Sequence, residues 1–246
     1  MDYLKFTTGN AKINKFTAIF DLVAGYSCPF AKLCLSKADR YTGKITDGKY
    51  TKFRCFSASS EGLRKKARAL RWYNYLLLQH ADNLTELIYN SIVNTEVKYA
   101  LRFRLHTSGD FFSQEYFDSW LEVIKKLPDI IFYAYTKALP FWVKRINEIP
   151  DNFILTASKG GTHDRLINEF NLRYAEVVFS EEEAEAKWLE IDHDDSLASK
   201  QGEPFALLLH GVQPASSEAS KANELLKKKG ILGYSRDKNK RVFVEV

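Results

Sequence analysis

The chain of 246 residues is poor in sulfur and in backbone breakers, with three cysteines, one methionine, six prolines and twelve glycines. None of these clusters into a linker or low-complexity segment, and no period of roughly 20–50 residues recurs, which excludes linkers, collagen-like chains and solenoids. A long apolar run is missing too. No apolar stretch follows the start Met1-Asp2-Tyr3-Leu4-Lys5, and the stretch 17–25 is interrupted by Asp21, so no membrane span and no export signal are expected. Three cysteines without an export signal point to a reducing compartment, with the cytoplasm, or a host's cytoplasm, as the expected location. Charge of one sign is scarce as well: 36 Lys and Arg against 31 Asp and Glu leave only +5, a weak electrostatic footprint for nucleic acid.

What is present suffices for a large core: 45% of residues are hydrophobic and 14% aromatic. Without a linker, the reading is one α/β domain over 1–246. Residues 14–24 read as a strand ending at Gly25, followed by a cysteine-bearing loop region over 25–58. Leu63, Ala67, Leu70, Asn74 and Leu77 recur at helical spacing, predicting a helix over 59–79 with Arg64, Lys65, Lys66, Arg68 and Arg71 on its other faces. A second helix is predicted over 83–93. Strand-like segments 97–105, 130–135, 153–157, 176–179 and 205–209 then alternate with helical segments 113–127, 140–149, 164–170, 181–188 and 217–229. A weak extra strand falls at 189–191 and a small hairpin over 231–246. Such alternation predicts parallel βαβ units closing into a full or partial (β/α) barrel, with a doubly wound open sheet as the alternative.

Polar residues follow each apolar strand: His106-Thr107-Ser108-Gly109-Asp110, Thr136-Lys137, Ser158-Lys159-Gly160-Gly161, Asp192-His193-Asp194-Asp195 and His210-Gly211. In parallel α/β folds this edge collects sites, because loops converge there and helix N-termini point at it. Helix capping accounts for Ser113, Asp164 and Ser180. It does not account for His106, Lys137, Lys159, His193 or His210. The candidate catalytic residues are therefore Asp110, His106 and Lys137, and the candidate ligand-binding residues Ser108, Gly109, Asp110, Ser158, Lys159 and His210.

Five residues separate Cys28 from Cys34, and twenty separate Cys34 from Cys55. Free cysteines commonly serve as small buried hydrophobes. Here Gly25-Tyr26-Ser27-Cys28-Pro29 and Phe53-Arg54-Cys55-Phe56 set them in a polar loop rich in Lys and Arg, where cations favour the metal-binding thiolate. Three thiolates suit a [4Fe-4S] cluster with one iron open, or a structural zinc completed by His106 or His210; the spacings fit zinc knuckles less well.

The segments Thr8-Gly9-Asn10-Ala11-Lys12, Cys28-Pro29-Phe30-Ala31 with Cys34 and Cys55, residues 106–113, Tyr135-Thr136-Lys137 and Leu209-His210-Gly211 resemble the bacteriophage and prophage family called gene product 88. The resemblance implies a viral origin. More distantly, the order of strand, three-cysteine loop, strand with Gly-acid motif and partial barrel resembles the radical S-adenosylmethionine enzymes. That likeness implies a [4Fe-4S] cluster on Cys28, Cys34 and Cys55. It further implies S-adenosylmethionine on the open iron, with Ser108-Gly109-Asp110 at the Gly-acid position. Here the cysteines are spread far wider than in that superfamily, and Ser-Gly-Asp replaces Gly-Gly-acid.

Three functions compete. The first is an iron-sulfur enzyme acting on a small molecule or nucleotide. The second is a divalent-metal phosphodiesterase or nuclease using His106, Asp110, Asp192, His193, Asp194 and His210. The third is a nucleic-acid-binding module with a structural zinc, using the basic helix with Trp72, Tyr73 and Tyr75.

Overall fold

A computed structural model describes residues 2–10 and 12–231. The hairpin expected over 231–246 lies, apart from Ile231, outside the described residues. Strands β1 (Thr7–Thr8) and β2 (Thr17–Phe20) open the fold, and a small hairpin, β3 (Ser36–Ala38) and β4 (Ile45–Asp47), stands within the cysteine region. Helices α1 (Phe56–Leu63), α2 (Lys65–Gln79) and α3 (Leu84–Val93) come next. The alternating part runs β5 (Arg102–Leu105), α4 (Gln114–Lys126), β6 (Ile131–Thr136), α5 (Leu139–Lys144), β7 (Phe153–Ser158), α6 (Arg165–Glu169), β8 (Tyr174–Val178), α7 (Glu181–Ala186), β9 (Glu190–Ile191), β10 (Phe205–Leu208) and α8 (Glu218–Lys228).

Eight strands form one sheet in the order β1-β2-β5-β6-β7-β8-β10-β9, with every pairing parallel except β1 on β2. β1 and β9 are its edges, so the sheet is open and the full barrel expected from the strand count does not close. From β2 to β8 each new parallel strand is added on the same side. The reversal of order that defines a doubly wound sheet is therefore absent from this run, and right-handed crossovers return to one face. That face is the main core: Phe103, Leu105, Phe132, Ala134, Phe153, Leu155 and Ala157 pack under Ile88, Phe117, Trp120, Ile124, Leu139 and Ile167 of α3 to α6. The other face carries a smaller cluster, Tyr133, Ile154, Ala175 and Phe205, covered by Ala198.

Local chemistry explains most boundaries. Ser113 and Ser180 cap α4 and α7 as their positions imply, accepting from Tyr116 N and Glu183 N, each at 3.1 Å. Asp164 stands at the start of α6 but does not cap it; its carboxylate accepts from Gly160 N and Gly161 N instead, at 2.8 and 2.9 Å. The helix predicted over 59–79 is two helices, because Arg64 is extended (φ −116°, ψ 91°). The strand predicted over 97–105 begins as a 3-10 turn, Glu96–Tyr99, and becomes extended only at Arg102.

Candidate functional site

The cysteine region lies across the C-terminal edge of the sheet and is fastened at several strand ends. Ala31 bridges Gly161, Leu33 N donates to Gly160 O at 2.9 Å, and Thr162 N donates to Phe30 O at 2.9 Å, tying it to the loop after β7. Lys52 N returns to Leu33 O at 2.8 Å, closing the excursion through β3 and β4. Beyond Cys55, Arg54 N donates to Gln213 Oε1 at 2.7 Å and Ser59 Oγ to Val212 O at 2.9 Å, which fixes the start of α1 to the loop after β10.

Cys28, Cys34 and Cys55 are free and partly buried. Burial, together with the charges of Asp110, Cys55 and Cys34, pushes the Cys28 thiol well above its ordinary range, against the N–H of Gly25 donating to Sγ at 3.3 Å. Burial and then Cys34 push Cys55 up to about 11, against donation from Ala58 N and Ser57 N. Burial and neighbouring negative charge thus hold Cys28 and Cys55 toward the protonated thiol. This corrects the expectation that local cations would favour the thiolate: Arg54 is engaged by Asp47, Nη2 to Oδ2 at 2.5 Å, and burial governs the thiols. Among the described residues, no group of three or more His, Cys, Asp or Glu side chains is arranged to hold a metal ion.

Of the other expected residues, Asp110 comes to this centre. Its Oδ1 accepts from Thr136 Oγ1 at 2.6 Å and Phe111 N at 2.8 Å, and Oδ2 from Lys137 N at 2.8 Å, stapling the loop after β5 to the end of β6. Burial raises this carboxyl, while Thr136, Lys137 and Phe111 oppose the rise. Lys137 Nζ donates to Ser158 Oγ at 2.5 Å. Ser108 bonds to Asp21 through its N–H and to Glu61 through Oγ, at 3.0 and 3.1 Å. Gly109 is needed where it stands: at φ +85°, a Cβ would come within 2.6 Å of both Leu22 Cβ and Ser27 Oγ.

Others are placed elsewhere or differently occupied. His106, at φ +60°, sits buried among Phe20, Phe111 and Tyr116, with Nε2 at 3.0 Å from Tyr116 Oη, and burial pulls it down to about 3. Lys159 pairs with Glu176 at 2.8 Å and lies over the Tyr174 ring. His210 packs on Phe56 at 4.4 Å, its Nδ1 near Leu208 O, and burial pulls it down to about 4.

The acidic loop serves as a clamp on the inner face of the sheet. Asp195 Oδ1 pairs with Lys12 at 2.6 Å and Oδ2 with Arg104 at 3.2 Å, and Asp192 Oδ2 accepts from Ala198 N at 3.2 Å and Tyr135 Oη at 3.4 Å. Asp194 turns to Ser196 N, and His193 is partly buried on the same loop. The basic helix also differs from expectation, because Arg68 and Arg71 point inward. Arg68 donates to the carbonyls of Glu61, Arg40 and Tyr41. Arg71 pairs with Asp21 at 3.0 Å and Glu61 at 3.2 Å. Trp72 packs on Tyr26 and Tyr75, and Tyr73 Oη bonds to Tyr3 O, so these rings are engaged within the fold. Sequence reading missed Asp21 and Glu61, whose carboxylates hold Thr107 and Ser108 at the start of the loop after β5. A carboxylate immediately after a buried strand, Asp21 after Phe20, was the available signal.

The fold and its edge define a class: an α/β protein with an open, mainly parallel sheet and a three-thiol loop over the strand ends. The chain belongs to the Gene product 88 family, which it matches over residues 4–228. It is 27% identical over 173 residues to the Gene 88 protein of Mycobacterium phage L5, and 26% identical over 179 residues to that of Mycobacterium phage D29. Each match covers 65% of this chain, and 66% and 65% of the respective relatives, just under two thirds of their length. No solved structure matches. No helix among the described residues is long and apolar enough to cross a membrane.

Proposed function

We propose that this phage-family chain is an iron-sulfur enzyme, with Cys28, Cys34 and Cys55 holding a [4Fe-4S] cluster. Its fourth iron would be left for a small-molecule or nucleotide ligand, S-adenosylmethionine among them. The feature that supports the reading is a pair of thiols, Cys28 and Cys55, that burial and neighbouring negative charge hold toward the protonated form, on a loop that also carries Cys34 and is fastened to several strand ends. Such thiols hold protons when empty and release them to a metal core. A cluster takes one thiolate on each of three separate irons, and the wide sequence spacing of the cysteines suits a zinc knuckle less well. The cluster supplies, when bound, an iron open to exogenous ligand and one-electron chemistry.

The remaining work falls to the chain. Asp110, beside Cys28, fixes the strand end and presents negative charge toward that thiol, suited to an amine or other cationic group. Gly109 allows the backbone to approach the root of the loop. The alternatives find less support: Asp192 and Asp195 are committed to holding their loop, and Arg68 and Arg71 to the interior. The test is oxygen-free reconstitution, expected to give about four iron and four acid-labile sulfide per chain with a band near roughly 400 nm. A chain that takes up zinc alone, or no metal, overturns the reading.

A further inference from the structure

Strand alternation puts residues 133, 135 and 137 of the β6 segment and 154, 156 and 158 of β7 on the sheet face turned away from the helices, since their neighbours Phe132, Ala134, Phe153, Leu155 and Ala157 are in the helix-covered core. The register sets Tyr135 beside Thr156, and Lys137 beside Ser158 makes the next rung. Below them the rung is filled: Tyr133 and Ile154 pack with Ala175, Ala198 and Phe205. The two upper rungs are polar and incompletely satisfied. Thr156 is 1% exposed, and among the described residues its Oγ1 has no hydrogen-bond partner. Lys137 is 8% exposed, and its ammonium donates to one neutral oxygen, Ser158 Oγ. Asp110 contributes charge nearby, but its two oxygens are occupied by Thr136 Oγ1, Phe111 N and the backbone N–H of Lys137. A buried cation on a neutral acceptor and a buried hydroxyl with none are each costly unless a further group completes them.

We propose that this column is an oxyanion pocket, in which a carboxylate or phosphate group of a small ligand is bound by Lys137 Nζ, Ser158 Oγ and Thr156 Oγ1. Thr156 and Ser158 are two residues apart on one strand, about 7 Å, a span that a single bound oxyanion bridges. The cysteine loop roofs the column: Ala31 bridges Gly161, whose Cβ position would lie 3.4 Å from Lys137 Cβ. Arg104, with its guanidinium 4.3 Å over the Tyr135 ring, adds positive potential while held by Asp195. The pocket stands without a cluster; combined with the reading above, it makes the ligand an anionic small molecule whose other end meets the thiols.

The test uses the full chain without added iron, with inorganic phosphate and acetate as separate probes followed by NMR titration. Saturable binding of either probe is expected, and which one binds tells phosphate from carboxylate ligands. Lys137→Met should weaken it at least tenfold. Thr156→Val, which matches the side chain in shape, should weaken it about three- to tenfold with a melting temperature equal to or above the parent's. Arg165→Met, which breaks the exposed pair with Glu169, should change nothing. Failure of both probes to bind the parent chain, unchanged affinity in Lys137→Met or Thr156→Val, or a lower melting temperature in Thr156→Val would each overturn the pocket. Iron and sulfide content after separate reconstitution answers to the cysteines alone, so the two proposals fail independently.

Discussion

Gly109→Ala isolates how tightly the loop after β5 is pressed onto the root of the cysteine region. At φ +85° any Cβ costs about 1–2 kcal/mol from left-handed backbone sterics. The new methyl would also stand 2.6 Å from Leu22 Cβ and Ser27 Oγ and 3.1 Å from Leu22 C. Leu22 is fully buried and Ser27 is bonded to Val23 O at 2.7 Å, so neither yields without moving backbone, and overpacking of this kind costs about 1–3 kcal/mol. The sum, about 2–5 kcal/mol, corresponds to a fall of about 5–15 °C in Tm for a chain of this length. Gly230→Ala separates the two contributions, since Gly230 has φ +78° but no atom of the described residues within 4 Å of its Cβ position. It should show the backbone cost alone, a few degrees. Thermal unfolding followed by circular dichroism reads both. Because Ser27 adjoins Cys28, Gly109→Ala should also speed reaction of the thiols with a disulfide reagent. Equal Tm losses in the two variants would refute the claim that Leu22 and Ser27 are immobile there.

If Cys28, Cys34 and Cys55 hold the proposed cluster, replacing any one of them by Ala should abolish iron and sulfide uptake on reconstitution; full iron and sulfide content in any one variant strikes that residue from the ligand set. Burial raises the Glu61 carboxyl above its ordinary 4.5, so its ionisation costs stability. The cost is absent below the unfolded value, grows as pH climbs through the folded value, and is complete above it. Glu61→Gln should therefore gain Tm relative to the parent as pH rises from about 4.5 toward neutrality, and a pH-independent difference counts against this. Asp195→Asn leaves Lys12 and Arg104 facing each other without their shared anion, and should cost about 3–5 kcal/mol in urea unfolding; a loss under about 1 kcal/mol would mean the clamp is solvated.

The alternation of elements was legible where a strand carries a run of buried apolar residues or a helix an apolar stripe, as in Phe153–Ser158 and Gln114–Lys126. Closure was not legible, since it depends on whether β9 and β1 meet, and both are two-residue strands without periodicity. The β3–β4 hairpin escaped notice for the same reason: three-residue strands give alternation too little length to register. Arg68 and Arg71 were misjudged because a charge pattern read along one helix cannot see partners such as Asp21, fifty residues away. His106 was read as a site residue from its place after a strand. The left-handed backbone at that position instead accompanies a ring packed into the aromatic core. The three cysteines were legible as residues, but not the protonation of Cys28 and Cys55, because burial and neighbouring negative charge are tertiary effects.

The anchoring of Arg54 to Gln213 bears on how the chain matures during synthesis. Cys28 and Cys34 leave the ribosome early, whereas the segment bearing Cys55 gains its lasting seat only once Gln213 and the Val212 carbonyl have emerged. A product terminated before that point would keep all three sulfurs while lacking the brace that sets the third.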